Sequence, residues 1–208
     1  MIDPTVQKIG PTNIGTNTFI GPFCVLGFPC TDSAKRDDAT NDCNSLSYKI
    51  LKIGNNCEFL SHNVIGEGTI IGSNVWCDHQ CYIGCSTIIS DNVEIMYGAR
   101  IYNRVKIGER AWIGGFVCND AIIEPKAVVL GKLIHKFTNA REGVPEKAPV
   151  VREGAFIGMN AIVIGEIEIG AGAYIGAGSV LTKSALPSRL YIGNPAMDIG
   201  PAPNAFQV

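Results

Sequence analysis

From Ile53 to Ile113 the chain is apolar at every sixth residue. The series runs Ile53, Phe59, Ile65, Ile71, Cys77, Ile83, Ile89, Ile95, Ile101, Ile107, Ile113. With 46% hydrophobic residues in the chain, eleven apolar residues in a row from a fixed start have a chance of about 2 in 10,000. The position two residues earlier repeats as well, in small or β-branched types such as Val75, Thr87, Val93 and Val105. The same phase returns as Val151, Ile157, Val163, Ile169, Ile175, Leu181, and a short early run reads Ile14, Ile20, Leu26.

A six-residue period fits neither the 3.6-residue turn of an α-helix nor a long strand. It fits short strands separated by sharp corners, with the isoleucine and the residue two before it pointing inward. Glycine follows the inward residue at 54, 66, 72, 84, 108 and 114, where it eases the backbone into the corner. Three strands close one triangular coil, so residues eighteen apart should stack about 4.8 Å above one another. The hexads predict about seven coils in one domain over residues 1–196, followed by a short tail at 197–208. This is the hexapeptide-repeat pattern, and the sequence resembles the left-handed parallel β-helix family. The handedness is implied by the resemblance.

Glycine, at 24 of 208 residues, exceeds its usual share of about 7%, as a chain of many corners requires. The formal charge of −2 argues against a nucleic-acid or anionic-membrane surface built on gross charge. No apolar run reaches membrane-spanning length. Met1-Ile2-Asp3-Pro4 lacks the basic start and apolar run of a secretory leader, so a cytoplasmic setting is expected. The eight cysteines form no CxxC pair and read as small buried hydrophobes in a reducing compartment. Zinc needs three or four convergent ligands, and three scattered histidines at 62, 79 and 135 do not supply them, so no metal site is expected.

Two stretches leave the period, 28–50 and 131–149, and excursions of that length in a compact solenoid tend to be functional. At position 119 the phase predicts an inward apolar residue, yet the sequence offers Asn119, followed by Asp120. Either Asn119 caps a turn into the shifted phase of Ile123 and Val129, or Asn119 and Asp120 face substrate, with Tyr102 stacked beneath Asp120. His79 lies two residues past inward Cys77, points outward, and is a candidate proton acceptor near pH 7, with Asp78 as a neighbour. His62 precedes it by seventeen residues, so the two rings should not stack in register.

The segment APVVREGAFIGMNAIVIGEIEIGAGAYIGAGSVLTKSALPSRLYIGNPA, residues 148–196, resembles the end of the hexapeptide-repeat acyltransferases. The resemblance implies acetyl-CoA as co-substrate, lying along the outside of these coils. By residue match it assigns Gly158, Gly176, Ala177, Thr182 and Lys183 to the cofactor, and Arg189 joins Lys183 as a cation able to offset phosphate charge. The middle of the chain resembles the nucleotide-sugar N-acyltransferases, in which Phe-x-Asn-Asp precedes a long loop. Here the segment reads Phe116-Val117-Cys118-Asn119-Asp120, one residue longer between Phe and Asn. The resemblance therefore implies acetylation of an amine on a nucleotide-linked sugar, by His79 or by Asn119 and Asp120, in grooves between the subunits of a homotrimer. Two readings compete with it: a metalloenzyme resembling the γ-class carbonic anhydrases, and a non-catalytic scaffold.

Overall fold

Each hexad folds as a strand of two or three residues and a corner. Trp76–Cys77, Tyr82–Ile83, Ile88–Ile89 and Glu94–Ile95 follow one another in this way. Three steps return the chain to its starting direction one level higher: Tyr82 pairs in parallel with Arg100, and Ile83 with Ile101, eighteen residues on. The computed structural model describes residues 1–29, 49–136 and 147–203, and within them the chain is a three-faced parallel β-helix. Its sheets have nine, eight and ten strands, so the stack is taller than the seven coils read from the hexads. We name the faces by their outward side chains. The tryptophan face carries Trp76 and Trp112, the tyrosine face carries Tyr82 and Phe116, and the isoleucine face carries Ile70, Ile88 and Ile122.

All eleven residues of the Ile53–Ile113 series are buried, as are Val151, Ile157, Val163, Ile169, Ile175 and Leu181. Each aliphatic side chain in this column contributes about 1.5–3 kcal/mol by leaving water. Polar residues on the inward positions are satisfied by the corners. The Asn63 side chain donates to the Leu60 carbonyl at 3.1 Å and accepts from the Cys81 amide at 2.8 Å. Thr69 and Thr87 donate to the carbonyls of Gly84 and Tyr102.

The inward position near 119 is a correction. Val117, fully buried, occupies it, because the corner after Ile113 is two residues short. Phe116 therefore pairs with Arg100 and Val117 with Ile101, sixteen residues apart. Asn119 moves to the corner, and Asp120 sits over Arg104 instead of Tyr102, which packs against Phe116 with ring centroids 4.9 Å apart. A second short corner follows Val129, and Lys132–Ile134 is a regular rung with Leu133 buried. The second excursion thus starts later than residue 131; residues 137–146 of it, and 30–48 of the first, lie outside the described residues. At the other end Ala196–Pro201 is a strand, antiparallel to Arg189–Gly193 through a hairpin with a cis Asn194–Pro195 bond. The expected boundary at 196 therefore falls inside the hairpin.

Among the described residues there is no helix, and none long and apolar enough to cross a membrane. Six cysteines, at 24, 57, 77, 81, 85 and 118, are buried, and no two of them are joined by a disulfide; Cys30 and Cys43 lie outside the described residues. Burial pushes the Cys118 thiol up to about 12. At pH 8 iodoacetamide should therefore spare Cys118 in the native protein and label it in urea, as read by peptide mass spectrometry; labelling without urea would contradict this packing. The short corners are equally testable. A Cβ on Gly115 would overlap the Gly131 carbonyl oxygen, whereas one on Gly98 meets nothing within 4 Å. Gly98→Ala should cost about 1–2 kcal/mol for its left-handed backbone, and Gly115→Ala about 3 kcal/mol or more, as measured by urea denaturation.

Candidate active site

A triangular solenoid has three long edges, and the edge on which a corner residue falls decides which residues can act together. The strand Trp76–Cys77 belongs to the tryptophan face and Tyr82–Ile83 to the tyrosine face, so His79 lies on the edge between these two. Gly158, Gly176 and Ala177 follow tryptophan-face strands as well and share that edge, higher up. Asn119 and Asp120 follow the tyrosine-face strand Phe116–Val117, and Thr182 and Lys183 follow Val180–Leu181. These four lie on the next edge, between the tyrosine and isoleucine faces, where both excursions also depart. The structure therefore brings His79 together with the glycine and alanine corners. It separates them, within one chain, from Asn119, Asp120, Thr182 and Lys183.

His79 is held by its corner. Its Nδ1 accepts the Ser61 backbone N–H at 3.1 Å and lies 2.7 Å from Ser61 Oγ. The same contact recurs on the other edges. Asn103 Oδ1 accepts from the Cys85 amide, Asn119 Oδ1 from the Asn103 amide, and Asp91 Oδ1 from the Ser73 amide, each near 2.8 Å. In every case the acceptor sits two residues past an inward side chain. His79 is thus an imidazole in the place of a corner-capping carbonyl or carboxylate. An N–H aimed at Nδ1 leaves the proton of the neutral ring on Nε2, so His79 presents an N–H donor to the edge. Accepting a proton at Nε2 would require the other tautomer and the loss of the Ser61 contact. Asp78 Oδ1 is 3.8 Å from Nε2 and accepts the His79 backbone N–H at 2.7 Å. His62, which does not stack on His79, is joined to it through Ser61, with Nδ1 3.0 Å from Ser61 Oγ.

Above His79 the edge is notched. Where other corners hold four residues, Gly114-Gly115 and Leu130-Gly131 hold two. Neither short corner contains a left-handed residue, whereas Gln80, Gly98, Asn160 and Gly178 all have φ near +60° to +69°. The missing residues leave a cavity of about 350 Å³ between the Gly98 and Asn160 corners. Farther up, Gly158 and Gly176 are buried. A Cβ on Gly158 would stand 2.6 Å from the Ala177 amide nitrogen, and one on Gly176 would stand 2.9 Å from Ile192. Their smallness serves corner stacking, and it is Ala177, exposed, that faces outward.

The remaining candidates have defined partners. Asp120 forms a two-point ion pair with Arg104, at 2.7 and 2.8 Å. Arg189 is bound through Nε and Nη2 to Asp198, which it holds below the ordinary carboxyl range, so its charge is already matched inside the terminal hairpin. Thr182 and Lys183 are exposed. Among the described residues no group of three His, Cys, Asp or Glu side chains is placed to hold a metal ion. Sequence reasoning missed Ser61 and the notch. Ser61 stands eighteen residues before His79, and the notch was signalled by inward Ile113 and Val117 lying four residues apart.

Residues 148–183 match the family described as bacterial transferase hexapeptide (six repeats). The chain is 30% identical over 129 residues to the serine acetyltransferase of Escherichia coli, covering 60% of this chain and 46% of that one. It is 26% identical over 208 residues to the bifunctional protein GlmU of Pseudoalteromonas atlantica, covering 92% of this chain and 36% of that one. The chain spans less than half the length of these relatives. The solved structure of LpxA, a UDP-N-acetylglucosamine acyltransferase from Bacteroides fragilis, superposes with a TM-score of 0.52 at 17% identity, covering 97% of this chain and 74% of that one. The three parallel faces and the superposition on LpxA give the chain the left-handed parallel β-helix fold; residues 148–183 carry the transferase hexapeptide repeat, and the chain is similar in sequence to acyltransferases.

Proposed function

We propose that this chain transfers an acetyl group from acetyl-CoA to an amine on a small acceptor, a nucleotide-linked amino sugar, along the tryptophan–tyrosine edge. The observation that carries this reading is that His79, the notch and the outward Ala177 corner occupy one edge. The Ala177 corner is five rungs above that of His79, about 24 Å at the strand spacing, a length on the order of an extended phosphopantetheine arm. A cofactor on this track has its thioester toward His79 and its nucleotide toward the last coils. Thr182 and Lys183, one face away, are not on the track, and Arg189 is committed to Asp198. The assembly that accompanies this reading is a cytoplasmic homotrimer with the edge of one subunit against the next.

In the reaction the amine lone pair forms the new C–N bond and the C–S bond breaks. Coenzyme A leaves as the thiol, taking up the proton that the nitrogen loses. Holding amine and thioester together supplies much of the acceleration. The outward Nε2–H of His79 donates to the negative charge that develops on oxygen or sulfur, and Ser61 keeps that donor aimed. Asn119 and Asp120 are corner caps in this reading. A second acceptor, L-serine, is favoured by the similarity to the serine acetyltransferase of Escherichia coli.

His79→Ala should lower kcat by about 100-fold or more, the effect of losing one such donor, in an assay that reads the free thiol of coenzyme A. Ala177→Trp should raise KM for acetyl-CoA at least tenfold and leave kcat nearly unchanged, the pattern of lost uniform binding, while Lys183→Ala changes KM less than twofold. A panel of amino-sugar nucleotides and L-serine identifies the acceptor. Absence of calorimetric heat with millimolar acetyl-CoA would replace this reading with a scaffold.

A further inference from the structure

The notch has a wall that acetyl transfer itself does not use. On the tyrosine face Arg100 pairs in register with Phe116, and Phe116 with Lys132. Two cations therefore stand two rungs apart, about 10 Å, with an aromatic ring between them. Both are exposed, both line the cavity, and among the described residues no aspartate or glutamate lines it with them. The other described arginines are matched: Arg104 by Asp120, Arg110 by Glu109, Arg152 by Glu124 and Glu168, Arg189 by Asp198. Neither Arg100 nor Lys132 forms an ion pair with a described carboxylate. Asn160 closes the cavity from above, and Gly98 leaves its lower side open.

We propose that this notch binds the diphosphate of the acceptor substrate, with Arg100 and Lys132 as its two cationic contacts and Phe116 as the surface beneath. Arg100 alone would satisfy a single carboxylate in its planar fork, leaving Lys132 unused. Two cations separated by an aromatic ring match two linked phosphates joined to a further ring. The volume of about 350 Å³ admits such a group and is too small for a whole nucleotide sugar, so the rest of the ligand projects along the edge toward His79. The assignment of this diphosphate to an acceptor rests on the acetyl-transfer reading; the oxyanion chemistry of the notch does not. Coenzyme A also carries a diphosphate, so the test must separate the two sources.

The experiment is calorimetric titration of the full chain with uridine 5′-diphosphate, with desulfo-coenzyme A and with L-serine. It compares the natural sequence with Arg100→Gln, Lys132→Gln, the double variant, and Lys106→Gln on the isoleucine face. All three substituted side chains are exposed, and circular dichroism checks the fold. The expected result is a loss of uridine 5′-diphosphate affinity of about tenfold or more for each single notch variant, and more for the double. Lys106→Gln should have no effect, and desulfo-coenzyme A affinity should stay within twofold throughout. Unchanged uridine 5′-diphosphate binding in the double variant overturns the proposal. So does a loss confined to desulfo-coenzyme A, which would give the notch to the donor, or one confined to L-serine. Diphosphate binding that depends on the notch in a protein without acetyl transfer would keep the site and remove the proposed function instead.

Discussion

The parallel backbone ladder between successive coils is the interaction on which everything else in this molecule depends. Most strands are only two or three residues long and would have no stability alone. It persists because its amide and carbonyl groups bond to the coils above and below, while one aliphatic side chain per hexad joins the buried column. The ladder fixes the register so firmly that changes in chain length are confined to corners. Thr12 pairs with Leu51, thirty-nine residues on, and Ile14 still meets Ile53 in the ladder.

Corners are consequently where this fold holds its variable chemistry. Two residues past an inward side chain, Asn, Asp or Ser accepts the backbone N–H of the coil below at several corners. At one rung the acceptor is an imidazole. The hydrogen bond that caps the corner also selects the His79 tautomer, so a local requirement of the solenoid determines which ring nitrogen can meet a ligand. The same requirement explains Asn119, whose amide is a step in the Cys85–Asn103–Asn119 ladder and not a buried polar intrusion.

The short corners extend the same logic by subtraction. Removing two residues leaves the strands in register but deletes the outward bulge, and the glycines at 115 and 131 allow the backbones to close up. A concave site thereby appears on a convex edge without any change to the core. The charged residues beside it, Arg100 and Lys132, belong to ordinary outward strand positions.

The solenoid follows from the order of the residues alone. A six-residue period names every inward side chain, and stacking by eighteen follows from three strands per coil. The buried column from Ile53 to Ile113 was legible for that reason, as was the outward direction of His79. Which edge each corner occupies, and how the short corners shift the stack, emerge only from the folded coils. Asn119 read as inward because a fixed period was carried across a two-residue deletion. The family resemblance assigns Ala177 and Lys183 to one cofactor, yet the hexad between them turns the chain onto another face. Ser61 and His79 touch although seventeen residues lie between them. Periodicity is a one-dimensional signal, and the meeting of side chains on an edge depends on the accumulated length of every corner below.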